Sequence, residues 1–495
     1  MKAHITVNKS FKIGEIDKRI YGSFIEHLGR AVYNGIYEPT HRSADDMGFR
    51  QDVLDLVREI DVPVVRYPGG DFVSGYNWED TIGEKSKRPC KINLAWQSIE
   101  PNEVGLDEFI KWAKRANTNV IMAVNLGTRA IEQASNIVEY CNCNTNTYYA
   151  NLRRQNGYEA PFSIKNWCLG NEMDGEWQIG HKTADEYGRL ACEVANVMKK
   201  TDPTIELTLC GSSNYNRKTF GDWEYTVLSH AYDNIDYISM HQYYANHENN
   251  AANFLARTVQ MDLFIKGVAA ICDAVKAKKH SNKTVNIAFD EFNVWYRANP
   301  NDFTPHTVGT PRIEEIYNFE DALLVGSMMI TLQNNCDRVK IACLAQLVNV
   351  LAPIMTENGG GAWTQTIFYP YMLSSKNGRG KALKTVIDCE TYLSSDDLTV
   401  PYIDASVIEN NEHELTVFAV NRSLDEDMVL EVDFEKYGGV CPVSHTEIYS
   451  DNLKCKNSPK MQNVKPVQRE ISKNVNEVQT VTLKKHSWNM IKFTY

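Results

Sequence analysis

Short apolar runs alternate with longer amphipathic stretches through the first three quarters of the chain. The runs are IYGSFIEHLG (20–29), VPVVRYPGG (62–70), NVIMAVNLG (119–127), IKNWCLGNE (164–172), IELTLCGSS (205–213), IDYISMHQYY (235–244), VNIAFDEFN (285–293) and RVKIACLAQL (338–347). Stretches between them, such as LDEFIKWAKRA, repeat apolar residues every three or four positions, which predicts helices. Apolar strands that alternate with helices are typical of a helix-covered parallel sheet. Eight such units over about 360 residues predict a (β/α)8 TIM barrel.

After about residue 381 the pattern changes to short alternating runs separated by polar turns, as in HELTVFAVNRS and DMVLEVDFEKY. A period of two predicts strands with one buried face. We therefore predict an additional antiparallel β-sandwich, jelly-roll-like in type. The N-terminal run ITVNKSFKI has the same alternation and no place in the barrel, so we expect it to join the sandwich. The predicted domains are a catalytic α/β barrel over 16–380 and a β-sandwich built from 1–15 plus 381–495.

Composition narrows the classes of partner. The chain has 495 residues, 43% of them hydrophobic and 23% charged, as in ordinary globular proteins. A formal net charge of −11 argues against nucleic acid and anionic membranes as partners. No apolar run approaches the roughly 20 residues of a membrane span, and the N-terminus lacks the features of a secretory signal. The twelve cysteines are scattered, and several lie in apolar runs, which favours buried thiols in a cytoplasmic protein.

The carboxyl ends of the strands form the active site in barrels of this kind. The residues at these ends are Phe24, Glu26, Arg66, Asp71, Asn125, Asn171, Glu172, His241, Tyr243, Asp290, Glu291, Gln346 and Asn349, with Trp96 and Trp295 in nearby loops. The set consists mainly of carboxylates, amides and aromatic rings. It has too few well-placed histidines for a strong metal site, no Ser-His-Asp set and no phosphate loop. We therefore predict neither a metal nor a cofactor.

Two glutamates in this set match the requirements of glycoside cleavage. One protonated carboxyl must supply a proton to the leaving oxygen, and one carboxylate must stabilise the oxocarbenium-like carbon. Glu172 follows the fourth run and Glu291 ends the seventh, so they lie on different sides of the barrel and can flank one bond. Amides and aromatic rings around them suit a sugar rich in hydroxyl groups.

Several motifs carry a resemblance to a known family. In chain order they are RYPGGDFVSGYNWED, NLAWQSIEPNEVGLDEF, CLGNEMDG, MHQYYAN, FDEFNVWY and AQLVNVLAPIMT. The chain resembles the α-L-arabinofuranosidases of glycoside hydrolase family 51. The resemblance implies a retaining double displacement with Glu172 as acid/base and Glu291 as nucleophile. It also implies an intracellular homo-oligomer, commonly a hexamer, that acts on arabinofuranosyl oligosaccharides from arabinan and arabinoxylan.

The resemblance also suggests supporting residues. It implies that Glu26, Asn171, Tyr243 and Gln346 contact the furanose ring or support the two glutamates. The chain departs from the family at Asp71, where the family usually has Asn. An ionised carboxylate only accepts hydrogen bonds, whereas an amide also donates them. A milder change is Phe292, at a position where Trp is common.

The residues themselves leave several roles open. Arg66 is either a structural ion-pair partner or an orienter of the nucleophile, and Trp96 is either a core aromatic or a wall of the sugar site. Phe24 is a further candidate contact. Asp290 is assigned a structural salt bridge or hydrogen bond, and His241 is interpreted as a satisfied barrel histidine, like His27. Alternative functions are a β-xylosidase, a galactofuranosidase, an endo-glucanase or a non-catalytic carbohydrate-binding barrel.

Overall fold

The structure of the protein, a computed structural model, describes residues 1–297, 304–410 and 413–495. The strands are β1 (Lys2–Glu15), β2 (Gly22–Phe24), β3 (Val64–Tyr67), β4 (Lys91–Asn93), β5 (Ser98–Glu100), β6 (Asn119–Val124), β7 (Asn166–Leu169), β8 (Glu206–Leu209), β9 (Tyr237–Tyr244), β10 (Asn286–Val294), β11 (Val339–Leu344), β12 (Ile354–Thr356), β13 (Ala362–Thr364), β14 (Lys381–Cys389), β15 (Thr391–Leu393), β16 (Thr399–Pro401), β17 (Ile403–Glu409), β18 (Glu414–Asn421), β19 (Met428–Glu435), β20 (Cys441–Ile448), β21 (Val467–Arg469), β22 (Val478–Leu483) and β23 (Ser487–Thr494).

The α-helices are α1 (Gln51–Ile60), α2 (Leu106–Arg115), α3 (Ile131–Asn142), α4 (Tyr148–Gln155), α5 (Ala184–Thr201), α6 (Asp222–Ala231), α7 (Ala251–Leu255), α8 (Arg257–Lys278), α9 (Phe319–Asn334) and α10 (Phe368–Asn377). Short 3-10 helices span Lys18–Tyr21, Asp71–Gly75, Trp78–Thr81, Lys85–Lys87 and Tyr232–Asn234. No helix in the described parts of the chain has both the length and the apolar character needed to cross a membrane.

Each of the eight apolar runs contains one strand of a closed barrel. The barrel order is β2, β3, β6, β7, β8, β9, β10 and β11, and every neighbouring pair is parallel. Small and branched side chains, including Val64, Ile121, Ala288 and Ile341, fill the interior. The opposite faces of the strands pack on the surrounding helices. Burial on both faces explains why these strands are continuously apolar, and it confirms the predicted barrel.

The second β-rich part is one nine-stranded sheet with the order β21, β20, β23, β18, β17, β14, β1, β19 and β22. The N-terminal strand β1 joins it, as predicted, between β14 and β19. It pairs antiparallel with β14 but parallel with β19, so the sheet is mixed. The parallel pair arises because β1 arrives from the start of the chain and not through a hairpin. A β-sheet domain beside the barrel is therefore confirmed, with one parallel pair in it.

Alternation along β18 shows how the two parts pack together. Leu415 and Val417 belong to the core of the sheet domain itself. Phe418 and Val420 point the other way and belong to the core of the barrel. This two-sided burial joins the sheet to the helices of the barrel. We propose domain bounds at 15/16 and 380/381, supported by the end of β1 at residue 15 and the start of β14 at residue 381.

Close packing at α9 holds the sheet against the barrel. Gly326 lies in α9, and a Cβ added there would sit 2.6 Å from Nε1 of Trp488 on β23. Trp488 is almost fully buried and also contacts the ring of Phe418, with ring centroids 5.9 Å apart. The glycine therefore lets a large aromatic side chain approach the helix backbone directly.

Candidate active site

A cavity of about 840 Å³ opens at the carboxyl ends of the barrel strands. Eight of the ten predicted site residues line it, namely Phe24, Glu26, Asp71, Trp96, Glu172, Tyr243, Glu291 and Gln346. The other two, Arg66 and Asn171, lie behind the wall and hydrogen-bond to groups that face the cavity. Asn125 and Asn349 instead bond to nearby loop backbone.

The turn after β7 places Glu172 at the mouth of the barrel. The strand ends at Leu169, and Gly170 has a φ of +87° that L side chains rarely adopt. Glu172 itself has a φ of +42°, a left-handed conformation that is uncommon outside glycine. Such backbone conformations cost of order 1–3 kcal/mol and cluster at functional sites. The turn thus places Glu172 in the lining of the cavity.

Both carboxylate oxygens of Glu172 have hydrogen-bond partners. Oε1 lies 2.8 Å from Nδ1 of His241, and Oε2 accepts a 2.7 Å hydrogen bond from Nε1 of Trp177. Burial raises the pKa of Glu172, and the charge of Glu291 raises it further, while the bond with His241 opposes both. The net direction is upward, which favours a carboxyl that can hold a proton closer to neutral pH.

Glu291 lies on β10 and is held by two donors. Its Oε1 accepts a 2.7 Å hydrogen bond from Nη1 of Arg66, and its Oε2 accepts a 2.8 Å bond from the hydroxyl of Tyr243. These two hydrogen bonds fix the orientation of the Glu291 side chain. The hydrogen-bond partners of Glu291 therefore differ from those of Glu172.

The two glutamates lie close together. An oxygen of Glu172 and an oxygen of Glu291 are within 4.8 Å of each other. Nδ1 of His241 lies 2.8 Å from Oε1 of Glu172 and 3.6 Å from Oε2 of Glu291. Retaining glycosidases keep their carboxyl groups roughly 5–5.5 Å apart, and inverting ones roughly 6.5–9.5 Å. The observed spacing agrees with the shorter range.

The same three side chains have the spacing of metal ligands. Each is already engaged, however, because His241 bonds to Glu172 and the other oxygens accept from Trp177, Arg66 and Tyr243. The guanidinium of Arg66 adds positive charge beside Glu291 and opposes a second cation there. The donor set therefore fits a proton-transfer site better than a metal centre.

His241 lies between the carboxyl groups of Glu172 and Asp290 and is hydrogen-bonded to both. Its Nε2 lies 3.1 Å from Oδ1 of Asp290, whose Oδ2 is 3.1 Å from Nε of Arg66. Burial alone would lower the pKa of His241, but the negative charge of Glu291 and the bonds to Asp290 and Glu172 raise it well above its usual value. Burial works against ionisation of Asp290, yet Arg66 and His241 lower its pKa.

Sequence reasoning places His241 at a strand end but interprets it as a satisfied barrel histidine. The signal that could have found it is strand alternation, because His241 and Tyr243 lie two residues apart on β9 and share a face. His27, in contrast, lies between Glu100 and Tyr67, with its ring nitrogens 2.7 and 2.8 Å from their oxygens.

Glu26 is fixed by three donors at the other side of the cavity. Its Oε1 accepts from the backbone N–H of Phe72 at 2.9 Å and from Nε1 of Trp96 at 2.8 Å, and its Oε2 accepts from Nε2 of Gln346 at 3.2 Å. Burial raises the pKa of Glu26 to about 7, although these bonds work in the other direction. A Cβ at Gly70 would lie 2.6 Å from Oε2 of Glu26, so this loop needs a glycine there.

Asp71 begins the 3-10 helix after β3 and points into the cavity. Its Oδ1 accepts a hydrogen bond of 3.3 Å from Nδ2 of Asn171. Burial, together with the charges of Glu172, Glu26 and Glu291, raises the pKa of Asp71 well above its usual value. Asp71 is therefore more easily protonated than an exposed aspartate, and a protonated carboxyl can donate a hydrogen bond as an amide does.

Aromatic rings complete the walls. The guanidinium of Arg66 lies 4.9 Å from the ring centroid of Phe24, and Trp295 meets Tyr243 edge to face at 5.4 Å. Trp177, which sequence reasoning does not single out, also lines the cavity and bonds to Glu172.

Comparisons with known proteins agree with this geometry. A family model for the α-L-arabinofuranosidase C-terminal domain matches residues 290–487, and one for the α-L-arabinofuranosidase 1 domain matches residues 56–261. The chain is 56% identical to an intracellular exo-α-(1→5)-L-arabinofuranosidase 1 of Bacillus subtilis over 494 residues, which cover 99% of each chain. It is 44% identical to an exo-α-(1→6)-L-arabinofuranosidase of Bifidobacterium longum over 93% of this chain and 91% of that one.

Solved structures give the same result. A family 51 α-L-arabinofuranosidase of Bifidobacterium longum superposes with a TM-score of 0.95 at 41% identity, covering 99% of both chains. An α-L-arabinofuranosidase of Thermotoga maritima in complex with arabinose gives a TM-score of 0.89 at 33% identity over the full length of both. The chain therefore belongs to the family 51 α-L-arabinofuranosidases, glycoside hydrolases that release arabinofuranosyl residues.

Proposed function

We propose that the protein releases terminal non-reducing α-L-arabinofuranosyl residues from oligosaccharides derived from arabinan and arabinoxylan. Chains with α-(1→5) linkages are the proposed main substrates, because three relatives at 52–56% identity carry that linkage in their names. The exo-α-(1→6) enzyme is more distant, at 44% identity.

The proposed reaction is a double displacement. In the first step a carboxylate oxygen of Glu291 attacks the anomeric carbon while Glu172 gives its proton to the glycosidic oxygen, and the aglycone leaves as an alcohol. In the second step Glu172 takes a proton from water, the water oxygen attacks the anomeric carbon, and the bond to Glu291 breaks. Arabinose is released with its anomeric configuration retained.

The contrast between the two carboxyl groups carries this proposal. Burial raises the pKa of Glu172, which suits an acid, whereas Arg66 and Tyr243 orient the carboxylate of Glu291. Their oxygens lie within 4.8 Å, which supports retention. In this proposal Glu26, Asp71, Asn171 and Gln346 bind or support the sugar, and Trp96 forms part of its wall.

Chemical rescue tests the nucleophile. Glu291→Ala should abolish hydrolysis of p-nitrophenyl α-L-arabinofuranoside, and azide should restore turnover with a product of inverted configuration. A rescued product of retained configuration, or full activity without azide, contradicts the assignment. Rates on p-nitrophenyl β-xylopyranoside and galactofuranosides, measured beside α-(1→5)- and α-(1→6)-arabinobiose, test the sugar and linkage.

A cytoplasmic homo-oligomer, with six subunits on the family resemblance, completes the proposal. The relatives named intracellular support the location. Light scattering on the purified protein should give about six times the chain mass of 56.3 kDa, and a monomer mass would contradict the oligomer.

A further inference from the structure

The indole of Trp177 covers the carboxyl group of Glu172 without being part of the core. The side chain of Trp177 is 52% exposed, and its Nε1 donates to Oε2 of Glu172 at 2.7 Å. It lines the cavity together with Ser213 and Asn214. Because half of the side chain is exposed, the ring is held by contacts with neighbouring loops and not by packing in the core.

The local chain is built to fold the ring back over the turn. The backbone N–H of Gly175 bonds to the carbonyl of Glu172 at 2.8 Å, which closes a tight turn. A Cβ at Gly175 would lie 2.6 Å from Cζ2 of the Trp177 ring, so only glycine lets the indole lie against this turn. The turn from Glu172 to Gly175 therefore sets the position of the Trp177 ring.

Arg217 holds the outer face of the ring. Its guanidinium lies 5.2 Å from the ring centroid of Trp177, and its Nη2 donates to the carbonyl of Asp174 at 2.7 Å. The carboxylate of Asp174 accepts from the N–H and the hydroxyl of Ser213, at 3.1 and 2.9 Å. The loop after β7 and the loop after β8 are thus tied together around the indole.

The charges around Glu172 come from several elements. His241 and Tyr243 face it from β9, Glu291 from β10 and Asp71 from the 3-10 helix after β3. Asp174 adds a further negative charge from the same loop. An indole N–H only donates, so its bond stabilises the ionised carboxylate against the acids around it. The proposed first step, however, needs Glu172 to carry a proton.

We propose that Trp177 is a positioning residue that holds Glu172 as a carboxylate in the free enzyme and moves off its oxygen when the aglycone enters the cavity. The proposal rests on the proposed acid/base role of Glu172. With the indole displaced, Glu172 takes a proton from solvent and passes it to the glycosidic oxygen. Once the aglycone has left, the indole returns and stabilises the carboxylate that accepts a proton from water in the second step.

Trp177→Phe tests this because it keeps a ring and removes the N–H. The pH dependence of kcat/KM reports the ionisation of the free enzyme. Loss of one hydrogen bond to the charged form should move the alkaline limb of the profile upward by about one pH unit. Trp363→Phe is the control, since Trp363 lies on β13 and is not among the residues that line the cavity. Its alkaline limb should stay in place.

A simple stacking role for Trp177 would give a different result. In that case Trp177→Phe leaves the alkaline limb unchanged, and Trp177→Ala only raises KM for arabino-oligosaccharides; this outcome overturns the inference. A second measurement uses the intrinsic fluorescence of Glu291→Ala with and without Trp177→Phe. Addition of α-(1→5)-arabinotriose should change the Trp177 part of the signal, and no change means that the indole stays in place.

Failure of the proposed function would be seen separately. Glu172→Ala is assayed on the same substrates, and loss of activity that does not depend on the leaving group argues against acid/base catalysis by Glu172. If that variant behaves as an acid/base variant while Trp177→Phe shows no shift, only the inference on Trp177 fails.

Discussion

The imidazole of His241 and the carboxylate of Asp290 form a buried pair, with Nε2 and Oδ1 3.1 Å apart. The second oxygen of Asp290 neutralises Arg66, so one carboxylate serves two buried cations. The other nitrogen of His241 faces Glu172. The pair thus links the buried charges of Asp290 and Arg66 to the protonation of Glu172 at the barrel mouth.

We expect Asp290→Asn to destabilise the protein by about 3–5 kcal/mol, because it leaves His241 and Arg66 short of a buried counter-charge. The folded-state pKa of Asp290 is lowered, so its contribution is full above its unfolded pKa of about 3.9 and is lost as pH falls through the lower folded value. Thermal unfolding of both proteins as a function of pH measures the difference. An equal Tm at neutral pH would contradict the proposed charge balance.

Glu172→Ala should separate substrates by leaving group. General acid catalysis contributes typically 10²–10⁴-fold, so kcat/KM for arabino-oligosaccharides should fall by that amount and for p-nitrophenyl arabinofuranoside far less. Glu176→Ala is the matched control, since Glu176 lies exposed on the same loop. Because the pKa of Glu172 is raised, the alkaline limb of the wild-type kcat/KM profile should lie above the usual glutamate range and should be absent from the variant.

Asp71→Asn should extend activity to higher pH. The pKa of Asp71 is raised by burial and nearby glutamates, so Asp71 donates a hydrogen bond while protonated and loses that ability as pH rises. An amide keeps the donor at every pH. One hydrogen bond in the transition state is worth about 1–3 kcal/mol, or roughly ten- to a hundred-fold in rate. We expect at least a several-fold change in kcat/KM for arabinofuranosides.

The control for this substitution is Asp55→Asn on the exposed surface of α1. A profile of Asp71→Asn that matches the parent in both rate and alkaline limb would show that Asp71 does not contact the sugar.

Gly326→Ala should weaken the packing of the sheet against the barrel. The added methyl group would meet Trp488 at a distance no carbon–nitrogen contact tolerates, and overpacking typically costs about 1–3 kcal/mol. Gly361→Ala is the control, because a Cβ at Gly361 meets nothing within 4 Å. Differential scanning calorimetry should show a lower Tm for the first variant only, and an unchanged Tm would contradict the packing argument.

The barrel could be predicted because its strands are buried on both faces and stand out as continuous apolar runs. Site residues such as Glu26 and Gln346 could be predicted because a barrel strand carries its reactive groups at one known end. Trp177 could not, since its position depends on the turn at Gly175 and on a side-chain direction within a loop. The parallel pairing of β1 could not be predicted either, because alternation shows which face of a strand is buried but not which strand pairs with it.

The place of β1 between β14 and β19 also has a consequence during synthesis on the ribosome. Ala3 pairs with Cys389 and Lys2 with Val429, so β1 finds both its partners only when the whole barrel has been translated. Until then Ile5 and Val7, which are fully buried in the finished protein, belong to an unpaired strand edge. The nascent chain therefore carries an unpaired, aggregation-prone strand throughout translation of the barrel.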